Sequence, residues 1–200
     1  GDLLFDNGSY KNVSREYEIA VGSRTLRLHE QIDGIFSWLH SASGYARLED
    51  SYEPEHFRLA SYREENNLEN ILNHAGRATI KFDCKPQRFL KSGEQAVTFT
   101  GAGTIVNPTE FESLPIIKIT KNSSSGVLNI NGHTLSIAAD SSTSLVIDSE
   151  IQNAYSGTLN KNNIVTLNTG SFPILGPGSN PVSFSGGITK LEVTPRWWTL

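Results

Sequence analysis

Two hundred residues with a net charge of −4 and 19% charged side chains suffice for one large β domain or two domains of about a hundred residues each. There is no basic excess to attract nucleic acid or an anionic membrane. A single cysteine excludes an intrachain disulfide framework, and no apolar run approaches the roughly 20 residues that span a bilayer.

No signal-peptide pattern opens the chain, so a soluble protein folded in a reducing compartment is expected. The chain holds no methionine and begins at Gly1-Asp2-Leu3, so an N-terminal segment is expected to precede Gly1.

Asp6-Asn7-Gly8-Ser9 is a turn cluster. After it the pattern alternates, with Val13, Tyr17, Ile19 and Val21 on one side of a strand and Ser14, Glu16 and Glu18 on the other. Arg15 falls, out of character, on the apolar side. From Leu28 the period becomes helical: Leu28, Ile32, Ile35, Phe36 and Leu39 form one stripe, Ser23 or Thr25 is available as N-cap, and Ser43-Gly44 lies just past the end. Trp38 lies beside the stripe and is expected to anchor the helix on a sheet.

Short extended pieces follow at Tyr45 to Glu49 and Phe57 to Tyr62, separated by a turn at Tyr52-Glu53-Pro54. The polar stretch Arg63 to Asn73 fits either a helical turn or a long hairpin loop. Arg77 to Cys84 then alternates without a break, placing Ala78, Ile80, Phe82 and Cys84 on a buried face. Cys84 is read as a core residue rather than a nucleophile. Lys85-Pro86 is predicted to end the ladder, because proline has no N–H to donate. Gln87 to Glu94 has the character of a joint. An α+β domain over residues 1–95, one helix on an antiparallel sheet, is therefore expected to precede a β domain over residues 96–200.

Beyond Val97 only eleven residues are charged. Leu128 and Ile130 precede Asn131-Gly132, and Leu135 and Ile137 follow it; this is a strong hairpin signal, because a type I′ turn needs positive φ at both central residues. Further strands are predicted at Val97 to Val106, Leu114 to Thr120, Ser144 to Asp148, Asn163 to Leu167, Val182 to Ser185 and Ile188 to Val193. Short strands at this spacing indicate a β-sandwich. Trp197 and Trp198 are adjacent, so in a strand only one of them can enter its core.

Catalytic and metal patterns are not found in the sequence. His29, His40, His56, His74 and His133 are scattered, and His29 and His40 would lie about 16 Å apart on one helix. There is no GxSxG elbow and no P-loop, and Gly176-Pro177-Gly178 reads as a turn because no helix start follows it. Two carboxylate groupings, Glu49, Asp50, Glu53 and Glu55 near one turn and Asp148 with Glu150, have the residue type of a glycosidase acid pair, but a charge run in a loop is ordinarily a solvated surface. The sequons at Asn7, Asn12 and Asn122 mean nothing without a secretory signal. No catalytic, cofactor-binding or metal residue and no cofactor is assigned.

Particular stretches carry a family resemblance. GDLLFDNGSYKNV (Gly1 to Val13), FSWLHSASGYARLEDSYEPEHFRLA (Phe36 to Ala60), RATIKFDCKPQRFLKSGE (Arg77 to Glu94), GTIVNPTEFESLPIIKIT (Gly103 to Thr120), FPILGPGSNPVSFSG (Phe172 to Gly186) and ITKLEVTPRWWTL (Ile188 to Leu200) stand in the order seen in the distal tail proteins of long-tailed, non-contractile bacteriophages and prophages. The chain resembles that family over nearly its whole length, most specifically in KFDCKPQRF, VNPTEFESLP and the terminal PRWW.

The resemblance implies a mainly β protein in which an N-terminal domain contributes to a ring, usually hexameric, at the tip of the tail tube, and a galectin-like β-sandwich hangs outside it. It also implies a non-enzymatic virion protein, assembled in the host bacterial cytoplasm, whose partners are further copies of itself, the tail tube protein and the tail-tip or receptor-binding proteins. The family's first few dozen residues have no counterpart here, nor does the inserted carbohydrate module of some relatives. The alternative reading is a carbohydrate-binding module on the second-half sandwich, with Tyr155, Phe172, Trp197 and Trp198 as candidate platforms.

Overall fold

The structure, a computed structural model, describes residues 10–21, 28–63 and 77–200. Among the described residues it is mainly antiparallel β with one α-helix. It forms two compact units, the first ending at Arg88 and also taking Leu200, the second running from Phe89 to Thr199.

The first unit contains β1 (Val13–Ala20), α1 (Leu28–Leu39), β2 (Ala46–Leu48), β3 (His56–Tyr62) and most of β4 (Arg77–Leu90), with the sheet in the order β1-β4-β3-β2. β1 pairs antiparallel with β4 from Val13 opposite Cys84 to Ala20 opposite Arg77. Alternation therefore puts Tyr17 and Ile19 on the same face as Ile80, Phe82 and Cys84, as expected from the sequence. α1 lies on that face: Ile32 and Leu39 are buried with Ala60, Ile80, Phe82 and Cys84, while Ile35, Phe36 and Tyr62 close the margin. Burial accounts for the raised thiol pKa of Cys84, which the arginines Arg58 and Arg15 only partly counter. Trp38 differs from expectation, since it is 58% exposed, although its ring approaches Phe82 edge-on.

The side chains of Leu28 and Ala78, the Asp6 to Ser9 turn, the N-cap candidates Ser23 and Thr25, and residues 64–73 of the polar stretch lie outside the described residues.

Contrary to the sequence reading, β4 does not stop at Lys85-Pro86 but continues to Leu90. The ladder with β1 ends at Cys84, so past that point the missing proline N–H costs no bond on that side. The Pro86 carbonyl meanwhile accepts from Arg58 Nη1 at 3.5 Å.

The second unit is built on two long strands, β7 and β13. Its elements run β5 (Val97–Phe99), β6 (Gly103–Asn107), β7 (Ile116–Ile130), β8 (His133–Ile137), β9 (Ser144–Asp148), β10 (Asn153–Ser156), β11 (Leu159–Asn160), β12 (Val165–Leu167), β13 (Gly178–Thr194) and β14 (Trp198–Thr199). Both long strands bend midway. The first half of β7 and the second half of β13 belong to a layer ordered β11-β10-β9-β7-β13-β5. Their other halves belong to a layer ordered β12-β8-β7-β13-β6.

The inner faces of both layers share one core, to which Ile117, Ile119, Leu145, Ile147, Leu191 and Val193 contribute from the first layer and Ile105, Leu128, Ile130, Leu135, Ile137 and Val182 from the second. This is a sandwich whose two corner strands serve both sheets.

Several sequence-predicted boundaries change for this reason. The strand predicted from Leu114 begins at Ile116 and runs on through Val127 to Ile130 as one strand, and Val182 to Ser185 and Ile188 to Val193 likewise share one. Val97 to Val106 is instead split into β5 and β6, which pair with opposite halves of β13. The strand predicted from Asn163 begins only at Val165, after a short 3-10 turn, and β10 and β11 had no clear signal. The Asn-Gly hairpin forms as expected, with φ of 50° at Asn131 and 83° at Gly132.

At the bend the strands cross closely. A Cβ on Gly187 would lie 2.4 Å from Asn122 Oδ1 and 2.5 Å from the Ser124 carbonyl oxygen, and one on Gly126 would lie 2.7 Å from Ile188 Cγ1. Gly187→Ala is therefore expected to destabilise the second unit by roughly 1–3 kcal/mol, the usual cost of overpacking. Urea denaturation measures this, and an unchanged midpoint would mean that the strands do not approach so closely.

Candidate functional site

Arg15, out of character in the sequence, leads to the first unit's polar centre. Arg15 on β1, Arg58 on β3 and Arg88 on β4 converge on Glu53 from the turn between β2 and β3. Arg15 Nη2 lies 2.9 Å from Glu53 Oε1, Arg88 Nη1 lies 3.5 Å from the same oxygen, and Arg58 Nη2 lies 3.5 Å from Oε2. Burial lowers the Arg58 pKa, and the like charges of Arg15 and Arg88 add to that against the pull of Glu53.

Asp50 accepts a hydrogen bond from the Tyr17 hydroxyl and further bonds from the N–H groups of Tyr52 (2.9 Å) and Glu53 (3.0 Å). Burial opposes ionisation of Asp50, but these donors and Arg15 outweigh it and hold the carboxyl below its ordinary range. Tyr17 shifts the other way, far above the usual phenol range, through burial and then its bond to Asp50. Glu49 pairs with Arg47 and Glu55 is exposed. Glu49, Asp50 and Glu53 of the sequence-predicted cluster are thus committed to structural partners.

The motif stretches at the two ends of the second unit meet each other. Arg196 adopts φ of 62°, donates its N–H to the Gly93 carbonyl at 2.8 Å and grips Asp148 with both terminal nitrogens at 2.7 and 3.1 Å. Burial resists ionisation of Asp148, but Arg196 overrides it and its pKa falls. Glu150, the other half of the proposed acid pair, also contacts Arg196, at 3.1 Å. This grip delivers Trp197 into the core, where it is 5% exposed. A Cβ on Gly93 would lie 2.3 Å from the Trp197 nitrogen, so the KSGE turn is fitted to the PRWW segment. Trp198 stacks on Phe111 with ring centroids 4.4 Å apart and donates Nε1–H to the Glu112 carbonyl at 2.8 Å.

The candidate platforms do not gather into a sugar-binding surface. Trp197 is in the core, Phe172 packs against the core, Trp198 is stacked on Phe111, and Tyr155 is half-buried on β10.

Sequence reasoning missed a buried ion cluster. The Lys121 side chain is fully buried and donates to Asp140 Oδ1 at 2.8 Å and to the Ser142 carbonyl at 3.3 Å, while Lys161 reaches Asp140 Oδ2 at 3.0 Å. A signal existed, since Lys121 stands in phase with Ile117 and Ile119. The hydrogen bond from Lys121, then that from Ser142, holds the Asp140 carboxyl far below the ordinary carboxylate range against a smaller burial effect.

The unfolded chain therefore takes up the Asp140 proton more readily than the folded one, so this group stabilises the fold above its unfolded pKa of about 3.9 and the benefit is lost as pH falls below that. Urea midpoints taken from pH 5 down to pH 2.5 are expected to fall, and Asp140→Asn is expected to start lower and fall less steeply.

Among the described residues, no group of three or more His, Cys, Asp or Glu side chains is placed to hold a metal ion. The outer faces of the sandwich differ in charge. Lys118, Glu192 and Lys190 form an ion-paired row across β7 and β13 in one layer. In the other layer Thr166, Ser136, Val127 and Ser185 lie side by side across four strands, with Thr134, Asn129 and Ser183 in the next row, and none of them is charged.

No family model matches the chain, and no curated protein matches it. The solved structures do provide a likeness. The mainly β fold of this chain is similar to that of a solved phage tail protein. One matching structure is the crystal structure of the SPP1 Dit (gp 19.1) protein, described as a paradigm of the hub adsorption apparatus in phages infecting Gram-positive bacteria. The TM-score is 0.70 at 13% sequence identity, and the match covers 96% of this chain and 81% of that one.

Proposed function

We propose that this chain is a structural protein of a phage or prophage tail tip, a distal tail protein that joins the tail tube to the host-recognition apparatus and catalyses nothing. The observation that carries this reading is the fold likeness to SPP1 Dit over 96% of the chain, which falls on the same family as the motif order KFDCKPQRF, VNPTEFESLP and PRWW. Structural commitment of the carboxylates that most resembled an acid pair agrees with a scaffold role.

In this reading the first unit supplies the ring-forming domain and the second a galectin-like sandwich outside it. The partners are further copies of the chain in a homo-hexamer, the tube protein and the tail-tip or receptor-binding proteins, within the virion. The mild net charge of −4 per chain does not oppose close packing at physiological salt, where exposed charges are screened beyond about 8 Å.

Light scattering and negative-stain imaging of the protein test this reading. Ring-shaped particles with the mass of a hexamer are expected. A monodisperse monomer in the presence of tube protein would overturn the ring and shift weight to a sugar-binding module, for which glycan-array binding is the discriminating measurement.

A further inference from the structure

A sheet ordinarily guards its outer strands with short length, charge, proline or a bulge, because an open edge presents unpaired N–H and C=O groups. Among the described residues, the end strands β2, β5, β11 and β12 are only two or three residues long, and β1 carries Arg15, Glu16 and Glu18. β6 has none of these guards. It closes the second layer with the five residues GTIVN, which hold no charge and no proline and keep an unbroken register against β13.

Pro181, opposite Thr104, reveals which backbone groups of β6 are open. It has no N–H to give, and its carbonyl accepts from the Asn131 N–H at 2.9 Å on the β7 side. Bonded and non-bonded pairs alternate along an antiparallel ladder, so Gly103, Ile105 and Asn107 face β13 while Thr104 and Val106 turn their N–H and C=O outward. Neither of these two has a hydrogen-bond partner among the described residues. Both are exposed, Val106 to 63%.

We infer that β6 is a docking edge for β6 of a second copy of this chain, paired antiparallel about a two-fold axis at Ile105. This register sets Thr104 of each copy opposite Val106 of the other, and each such pair exchanges both N–H···O bonds, so every outward group of the strand is met. A slip of one residue turns outward groups toward inward ones, and a slip of two pairs Thr104 or Val106 with a residue outside β6. No like charges meet, and the exposed Val106 gains a β-branched neighbour in place of water. It is this self-complementary register that favours a second copy over an unrelated strand. A two-fold pair is closed, so the contact is additional to the ring proposed for the first unit.

Hydrogen exchange of the 200-residue chain, read by mass spectrometry from about 5 μM to about 500 μM, a span that reaches weak association, tests the pairing. Exchange at Thr104 and Val106 is expected to slow several-fold across that span while the sedimentation mass rises. Combining Thr104→Lys with Val106→Lys sets like charges directly opposite each other at exposed positions and should abolish the slowing; circular dichroism reports whether this variant is folded. A Thr104→Cys chain mixed with a Val106→Cys chain in glutathione buffer should form the mixed disulfide well above its statistical share, since bonded strand pairs bring Cα atoms to about 5.5 Å. The buried Cys84 does not compete. Exchange at Thr104 and Val106 that ignores concentration overturns the second copy as occupant and leaves the edge to a strand of another protein. A statistical yield of the mixed disulfide overturns the register. Because exchange is read at β6 itself, a mass that rises with no slowing there is ring assembly alone, which separates failure of this inference from failure of the ring.

Discussion

Truncating Trp197 to alanine is expected to destabilise the second unit by about 3–5 kcal/mol, the range for removing a buried aromatic side chain. Trp197 is in the shared core of both layers, and little around it can collapse into the space. The glycine at position 93 is already within van der Waals range of its backbone, and Arg196 is fixed by Asp148 on one side and the Gly93 carbonyl on the other. A cavity left there should persist. Trp198→Ala should cost far less, about 1–2 kcal/mol, since it loses one aromatic stack and one hydrogen bond at a half-buried position. Urea denaturation of the two variants, followed by near-ultraviolet circular dichroism, measures the contrast. Equal losses would mean that the two indoles are not divided between core and surface.

The largest effect expected in the first unit comes from Phe82→Ala, again about 3–5 kcal/mol. Phe82 is the centre of an aromatic group, with Tyr17 and Tyr62 meeting its ring edge-on at centroid distances of 5.9 and 6.1 Å. Removing it takes away both those contacts and the surface on which α1 rests. Lys81, its neighbour on the other face, is half-exposed and pairs with Glu16 at 3.2 Å, so Lys81→Ala should change stability by less than about 1 kcal/mol. Comparable losses from the two substitutions would place the buried face of β4 wrongly.

Both expectations go back to alternation, but alternation extends only as far as a strand stays regular. Through Ile80, Phe82 and Cys84 the pairing with β1 is unbroken, and the sequence pattern alone identifies the buried face. In β7 the buried positions are Ile117, Ile119 and Lys121 before the bend and Gly126, Leu128 and Ile130 after it, so the buried set changes from odd to even numbers along one strand. A bulge moves every later side chain to the other face. Read in windows, such a strand looks like two short ones, which is how the sequence presents it. The register of β13 shifts around Ile188 for the same reason. Proline misled in the opposite direction at Pro86, because whether a missing donor matters depends on whether a partner strand is still alongside.

The sequence by itself determined the antiparallel sheet of the first unit, the helix from Leu28 and its apolar stripe, the Asn-Gly hairpin, and the likeness to distal tail proteins that the fold of SPP1 Dit later matched. Those features rest on local periodicity, turn chemistry and short motifs, which neighbouring residues encode directly. Only the tertiary structure decided which charges are buried and with whom. Arg15, Arg58, Arg88 and Glu53 come from four separate segments, Asp140 unites Lys121 and Lys161, and Asp148 meets Arg196 across 48 positions of the chain. The physical reason is that an ion pair is stable in a core only when strand register brings both partners to one point. Register at that distance is set by the packing of the two layers and not by any single stretch of sequence.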